Sequence, residues 1–221
     1  MIRLEGVTKT YLTRNGGRHT VFRDLNLEIP TGTGVAFLGR NGAGKTTLVN
    51  IIGGAERVDA GRLITDAAIS WPVGLAGGFQ PSLTARENVK FVARLYADKA
   101  DIPGIVDFVR DFAEIGEYFD MPFRTYSSGM RSRVAFGLSM AFPFDYYLID
   151  EVTAVGDPQF RRKCVLALAE KKKTSAGFIV VSHQMNIVRK FCSLGVVLAD
   201  GRATCYDDVE DAIRAYQGDD D

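Results

Sequence analysis

Apolar and polar positions alternate in "IRLEGVTKTYL" from Ile2 and again in "TVFRDLNLEI" at 20–29, with the turn-forming string "TRNGGR" between them. A period of two places every second side chain on one face, so two half-buried strands are predicted. "GVAFLG" at 34–39 carries no polar position, the pattern of a short strand buried on both faces. A helix is predicted to open near Lys45 and to close at Gly53 and Gly54, where positive φ is cheap. The strand-like "AAISWPV" at 67–73 then leads into a glycine-rich link, "GLAGGFQPSLT".

The period changes between about Ser82 and Phe142. "SLTARENVKFVARLYA", "IPGIVDFVRDFAEIGEYF" and "SGMRSRVAFGLSMAF" repeat their apolar positions every three to four residues, as amphipathic helices do. Strand patterning returns in "YYLID" at 146–150, "GFIVVSH" at 177–183 and "LGVVLADGRATCY" at 194–206. A helical piece precedes each of the last two, and "DDVEDAIRAY" reads as a closing helix. The predicted architecture is one α/β domain over 1–221. Its strand-helix core comprises 1–81 and 143–221, and a helical insert occupies 82–142.

Composition narrows the partners. With 27 basic and 27 acidic side chains among 221 residues the formal charge is zero, which argues against nucleic acid held by bulk charge. Three cysteines without a C-x-x-C pair, Cys164, Cys192 and Cys205, read as reduced thiols. The start "MIRLEGVTK" lacks a basic-then-apolar leader pattern, and apolar runs such as "FIVV" are far short of a bilayer span. The chain is therefore expected not to cross a membrane by itself.

The sharpest chemical signal is "GRNGAGKTT" at 39–47, which fits G-x-x-x-x-G-K-[ST] between a predicted strand and a predicted helix. Glycines at 39, 42 and 44 let backbone N–H groups wrap an anion that a Cβ would obstruct. Lys45 supplies a point charge for β- and γ-phosphates and Thr46 a hydroxyl for Mg²⁺. Read blandly the string is a flexible turn with a surface lysine, but its strand-loop-helix setting speaks against that. "YYLIDE" ends a buried strand on two acids: Asp150 suits the magnesium shell, and Glu151 could deprotonate an attacking water. On its own the pair would be an ordinary loop start. His183 closes another apolar strand at the edge where parallel sheets bind ligands. A second anion-facing helix start lies in "TYSSGMRSR", where two serines and a glycine precede helical spacing.

Taken in order, "GRNGAGKTT", Gln80 in "GGFQPSL", "YSSGMRSR", "YYLIDE", "AVGD" and "SH" resemble the ATP-binding cassette of ABC transporters over essentially the whole chain. The resemblance implies a P-loop NTPase fold: a RecA-like core, an N-terminal antiparallel β subdomain and an inserted α-helical subdomain. It implies ATP and Mg²⁺, with Gly39, Asn41, Gly42, Ala43, Gly44, Lys45, Thr46 and Thr47 around the phosphates and Tyr11 stacked on the adenine. Thr46, Gln80 and Asp150 would surround the metal, while Glu151, His183 and Gln80 would serve hydrolysis. Two copies would pack head to tail, so that Ser127, Ser128 and Gly129 cap the γ-phosphate in the other copy's cradle and Asp157 closes the loop touching it. That accounts for two anion-facing helix starts in one chain. The signature departs from the usual Leu-Ser-Gly-Gly-Gln at Ser128 and Met130, and Ala154 lacks the usual serine hydroxyl.

Within the family, "ISWPVGLAGGFQPSLTARENVKFVARLY", "YSSGMRSR" and "DEVTAVGDPQF" are similar to the capsular polysaccharide exporter type. The chain ends soon after "DDVEDAIRAY", without the long C-terminal sugar-binding domain of some O-antigen and teichoic acid relatives, which favours the capsule type. The resemblance implies an integral permease in two copies, held at the cytoplasmic face of a bacterial inner membrane. Through the permease it implies periplasmic and outer-membrane capsule export components, and no nucleic acid. Among Val89, Phe91, Val92, Leu95 and Tyr96, some would be core and some would meet the permease. The rival readings are O-antigen or teichoic acid export, a non-transport cassette acting as a scaffold, and another P-loop class. A guanine site would want Asn-Lys-x-Asp, which does not occur.

Overall fold

The computed structural model describes residues 1–13, 15–74, 78–150 and 157–218. Its elements run β1 (Ile2–Leu12), β2 (Arg18–Ile29), β3 (Gly34–Leu38), α1 (Lys45–Ile52), β4 (Ala60–Thr65) and β5 (Ile69–Pro72). There follow α2 (Ala85–Tyr96), α3 (Ile102–Ala113), α4 (Ser128–Met140), β6 (Tyr146–Asp150) and α5 (Pro158–Lys173). The chain closes with β7 (Gly177–Val181), α6 (Met185–Phe191), β8 (Leu194–Ala199), β9 (Arg202–Tyr206) and α7 (Val209–Gly218). These group into two compact units: one of Met1–Pro72, Phe144–Glu151 and Lys172–Asp221, the other of Val73–Pro143 and Val152–Lys171.

The first unit holds two sheets. An antiparallel sheet runs β2-β1-β4, and a six-stranded sheet runs β5-β6-β7-β3-β8-β9. In the latter, β5, β6, β7, β3 and β8 are parallel, and β9 returns antiparallel to β8. The apolar run of β3 is explained by its place between β7 and β8, where all five residues are buried. Parallel pairing brings the chain out of β3, β6 and β7 at one common edge, where loops in such sheets bind ligands. Between the sheets, Ile2, Leu4, Val7, Phe22 and Leu27 pack with Phe37, Leu48, Val49, Leu148 and Ile179.

In the second unit, Thr84 starts α2 with a capping box: its hydroxyl accepts from Glu87 N–H, and the Glu87 carboxylate accepts from Thr84 N–H at 2.8 Å. That bond holds the Glu87 carboxyl below its usual range. The core of this unit is aromatic. Phe112 of α3 stacks on Phe136 of α4 at 5.7 Å, and Phe160 of α5 meets Phe112 edge-on. Gly137 favours the close approach of α3 to α4, since a Cβ there would sit 3.2 Å from the Phe112 ring and push it back by a few tenths of an ångström.

Three elements differ from expectation. The run 194–206 is a hairpin, because Asp200 and Gly201 both take positive φ (49° and 74°) and reverse the chain. The helix expected over 102–119 stops at Ala113, since Glu114 is left-handed (φ 52°), and a 3₁₀ turn spans Gly116–Asp120. β4 was not signalled at all. It is an edge strand exposed at five of its six positions, so it carries no alternation.

Candidate functional site

Because β3 is sealed on both faces, the loop leaving it has a fixed origin. Gly39 turns out of the strand with φ 148°, and a Cβ there would lie 2.5 Å from the Leu198 carbonyl. Gly44, the residue before α1, has φ 96°, and its Cβ would lie 2.5 Å from Val21 and 2.6 Å from the Phe22 ring. Both glycines are therefore demanded by geometry and by contact. Between them, Ala43 N–H donates to the Arg40 carbonyl at 3.1 Å. The Lys45 ammonium folds over the same loop, donating to the carbonyls of Gly39 (2.5 Å) and Arg40 (2.9 Å).

The common edge then assembles a site. A cavity of about 440 Å³ is lined by Asn41, Gly42, Gly44, Lys45, Thr46 and Thr47 of the loop, with Val21, Asp150, Val181 and His183. Asp150 comes from the end of β6 and His183 from just past β7, so three parallel strands each deliver a chemical group. The first-turn N–H groups of α1 have no intrahelical acceptor and favour an anion. The Thr46 hydroxyl and the Asp150 carboxylate are oxygen donors of the kind Mg²⁺ takes, usually alongside phosphate oxygens. No cluster of three or more His, Cys, Asp or Glu that could hold a metal occurs among the described residues, and such a magnesium site needs none. The residues present thus fit a nucleotide phosphate with its metal.

Gly39 and Ala43 line a neighbouring cavity of about 570 Å³ that also meets His19, Asp200 and Tyr216. Tyr11 lines neither cavity. It is 36% exposed on β1, opposite His19, with the Lys9 ammonium 5.1 Å from its ring centre. Glu151 lies outside the described residues, as does Ala154.

The other candidates belong to the second unit. Ser127 is the N-cap of α4, and its hydroxyl oxygen accepts from Met130 N–H at 3.2 Å. Because that oxygen is accepting, the hydroxyl proton remains to be donated. The N–H groups of Ser128 and Gly129 are first-turn donors without an intrahelical partner. Asp157 accepts from Gln159 N–H (2.9 Å) and Phe160 N–H (3.0 Å) at the start of α5. Its other oxygen pairs with Arg133 of α4. The Phe160 N–H, followed by the Arg133 guanidinium, holds the Asp157 carboxyl below its usual range. Arg133 also lies over the Phe160 ring at 4.3 Å and donates to the Ala113 carbonyl, so it ties α4 to the start of α5. Gln80 is exposed, but its backbone N–H donates to the Asn88 side chain at 2.7 Å.

Asn88 and Arg133 escaped the sequence reading. A signal existed for Asn88, because asparagine is a poor choice inside a helix unless its amide has partners. Arg133 offered none, since its ring and carboxylate partners are distant in sequence.

Residues 22–154 match the family model described as ABC transporter. The polysialic acid transport ATP-binding protein KpsT of Escherichia coli is 56% identical over 218 residues, covering 98% of this chain and 96% of that protein. The capsule polysaccharide export ATP-binding protein CtrD of Neisseria meningitidis serogroup B is 43% identical, covering 98% of each. Among solved structures, the dimeric ATP-binding cassette MJ0796 bound to ADP and Pi superimposes with a TM-score of 0.77 at 24% identity. It covers 93% of this chain and 98% of that one, which is a likeness of fold.

Proposed function

Because this chain belongs to the ABC transporter family of ATP-binding proteins, we propose that it is the ATP-hydrolysing motor of a capsular polysaccharide exporter. It works as a pair of copies beneath an integral membrane permease. The observation that carries the reading is the 440 Å³ cavity where Lys45, Thr46, Asp150 and His183 converge on the anion-binding start of α1. ATP is the substrate, and Mg²⁺, when bound, would supply neutralisation of phosphate charge. Thr46 and Asp150 would hold the metal, with Gln80 as a further ligand. Lys45 compensates phosphate charge, and His183 donates to the terminal phosphate. Glu151 is the base that takes the proton of the attacking water. Ser127, Ser128 and Gly129 act on the nucleotide of the other copy, and Asp157 stands in the loop meeting that copy. Tyr11 stacks on the adenine.

No helix among the described residues is long and apolar enough to cross a membrane; in this reading the translocation path belongs to a separate permease subunit. Support for a docking face comes from α2. Val89 is fully buried, whereas Phe91, Leu95 and Tyr96 are 56%, 68% and 53% exposed. Leu95 and Tyr96 border a cavity of about 600 Å³ with Ile105 and Phe142. Three large, partly exposed apolar side chains on one helix support a face for another protein. In the proposed assembly two chains meet two permease subunits at the cytoplasmic face of the inner membrane, and the permease continues to periplasmic and outer-membrane capsule components.

Steady-state ATPase assays across protein concentration test the pairing. Activity per protomer is expected to rise with concentration, and Glu151→Gln to slow turnover by about 10²- to 10⁴-fold while nucleotide still binds. Activity per protomer that stays flat on dilution, together with an unimpaired Ser127→Ala variant, would refute it. Capsule export restored in cells lacking their own export ATPase tests the cargo. An ATPase-competent chain that fails there while restoring O-antigen export would reassign it.

A further inference from the structure

Asn88 is 2% exposed in the second turn of α2, and its carboxamide faces backward onto the link that precedes the helix. Its oxygen accepts from Gln80 N–H at 2.7 Å. Its nitrogen donates to the carbonyls of Thr84 (2.9 Å) and Gln80 (3.1 Å), with the Leu83 carbonyl at 3.4 Å. An amide offers one acceptor and two donor hydrogens, so this neighbourhood uses the whole group and fixes which atom is oxygen. The link closes on itself where Leu83 N–H donates to the Gln80 carbonyl at 3.2 Å. It is also fastened from outside, where Arg124 N–H donates to the Pro81 carbonyl and Phe123 N–H to the Leu83 carbonyl, each at 2.8 Å. Gln80 itself projects into solvent, and both polar groups of its peptide are bound by one side chain of α2.

We infer that Asn88 is the positioning residue for Gln80: it clamps residue 80 to α2, so the Gln80 side chain is aimed by that helix and moves with it. The inference rests on the reading of Gln80 as a group that serves hydrolysis. The same helix carries Phe91, Leu95 and Tyr96 on exposed positions three, seven and eight residues beyond the clamp. A displacement of α2 by a protein docked on those side chains therefore reaches Gln80 through the helix and two part-buried hydrogen bonds. The intervening link, which contains Pro81 and Ser82, is itself held by the bonds from Leu83, Arg124 and Phe123.

Hydrogen exchange on the full chain tests the clamp directly. In the wild type the Gln80 N–H exchanges slowly although the residue is exposed, and Asn88→Ala abolishes that protection. Wild-type exchange at the free-peptide rate overturns the inference without any variant. Kinetics test its consequence. Asn88→Ala, and the isosteric Asn88→Asp that turns donors into acceptors, lower kcat about 5- to 30-fold, the effect of losing one or two part-buried hydrogen bonds. The affinity for a fluorescent ATP analogue is unchanged, which separates aiming from unfolding. In a Gln80→Ala background, Asn88→Ala lowers kcat no further. Additive losses mean that Asn88 acts elsewhere, and the inference fails. If Gln80→Ala is impaired and Asn88→Ala is not, the clamp alone is refuted. If Gln80→Ala turns over like wild type, the reading of Gln80 fails and takes the inference with it.

Discussion

Two glycines in one loop allow backbone strain and steric crowding to be measured apart. Gly42 and Gly44 both have positive φ, 85° and 96°. A Cβ added at Gly42 meets nothing within 4 Å, whereas at Gly44 it meets Val21 at 2.5 Å and the Phe22 ring at 2.6 Å. Phe22 is fully buried and Val21 nearly so, and neither can swing aside cheaply. Gly42→Ala should therefore cost only the left-handed conformation, about 1–3 kcal/mol. Gly44→Ala adds the overpacking of a filled core, a further ~1–3 kcal/mol. The difference between the two variants is the quantity predicted from contact alone. In urea unfolding followed by circular dichroism, Gly44→Ala should show the lower midpoint, with an unchanged slope. For a chain of this length the gap corresponds to roughly 2–12 °C in Tm. Equal losses, or a greater loss for Gly42→Ala, would refute the reasoning that Gly44 is required for space as well as torsion.

Other outcomes follow from single residues. Lys45→Ala should weaken ATP binding roughly 10- to 150-fold in a fluorescent-nucleotide titration, the worth of one charge-assisted hydrogen bond; unchanged affinity would remove the ammonium from the phosphate site. Burial pushes the Cys164 and Cys192 thiols up to about 12, while Cys205 is exposed on β9. At pH 8 a thiol reagent should thus modify Cys205 first, and equal rates at all three would contradict the packing. The Glu87 carboxyl is held below its usual range by Thr84 N–H, so it stabilises the fold above that range and the gain is lost as pH falls through its folded pKa. Wild type and Glu87→Ala should differ in thermal stability at neutral pH and converge in acid; a constant gap would show that the charge is irrelevant.

Legibility in the sequence tracked the range of the interaction. The phosphate loop could be read because its requirement is local: glycines where φ is positive, then a lysine and a hydroxyl at fixed offsets. The burial of β3 was equally plain, since a strand covered on both faces shows an unbroken apolar run. Asp150 and His183 could be placed at strand ends, but their meeting in one cavity with Lys45 depends on strand order β6-β7-β3, which no local pattern encodes. β4 was silent because an exposed edge strand needs no alternation. The 3₁₀ break after α3 was hidden because Glu114 takes a left-handed conformation that its residue type does not announce. Arg133 was invisible for another reason: it works through partners brought near by folding, whereas the partners of Asn88 lie only four to eight residues away and its place inside a helix was itself a signal.

The depth of β3 has a consequence for how the chain ages and fails. A ligand loop rooted in a strand buried at all five residues loses its anchor only when that strand's whole neighbourhood melts, so the amides of β3 belong among the slowest to exchange. Loss of nucleotide binding on heating should then coincide with collapse of the unit and not precede it. Partial activity in a heated sample would report a mixture of intact and ruined molecules, with no weakened intermediate between them.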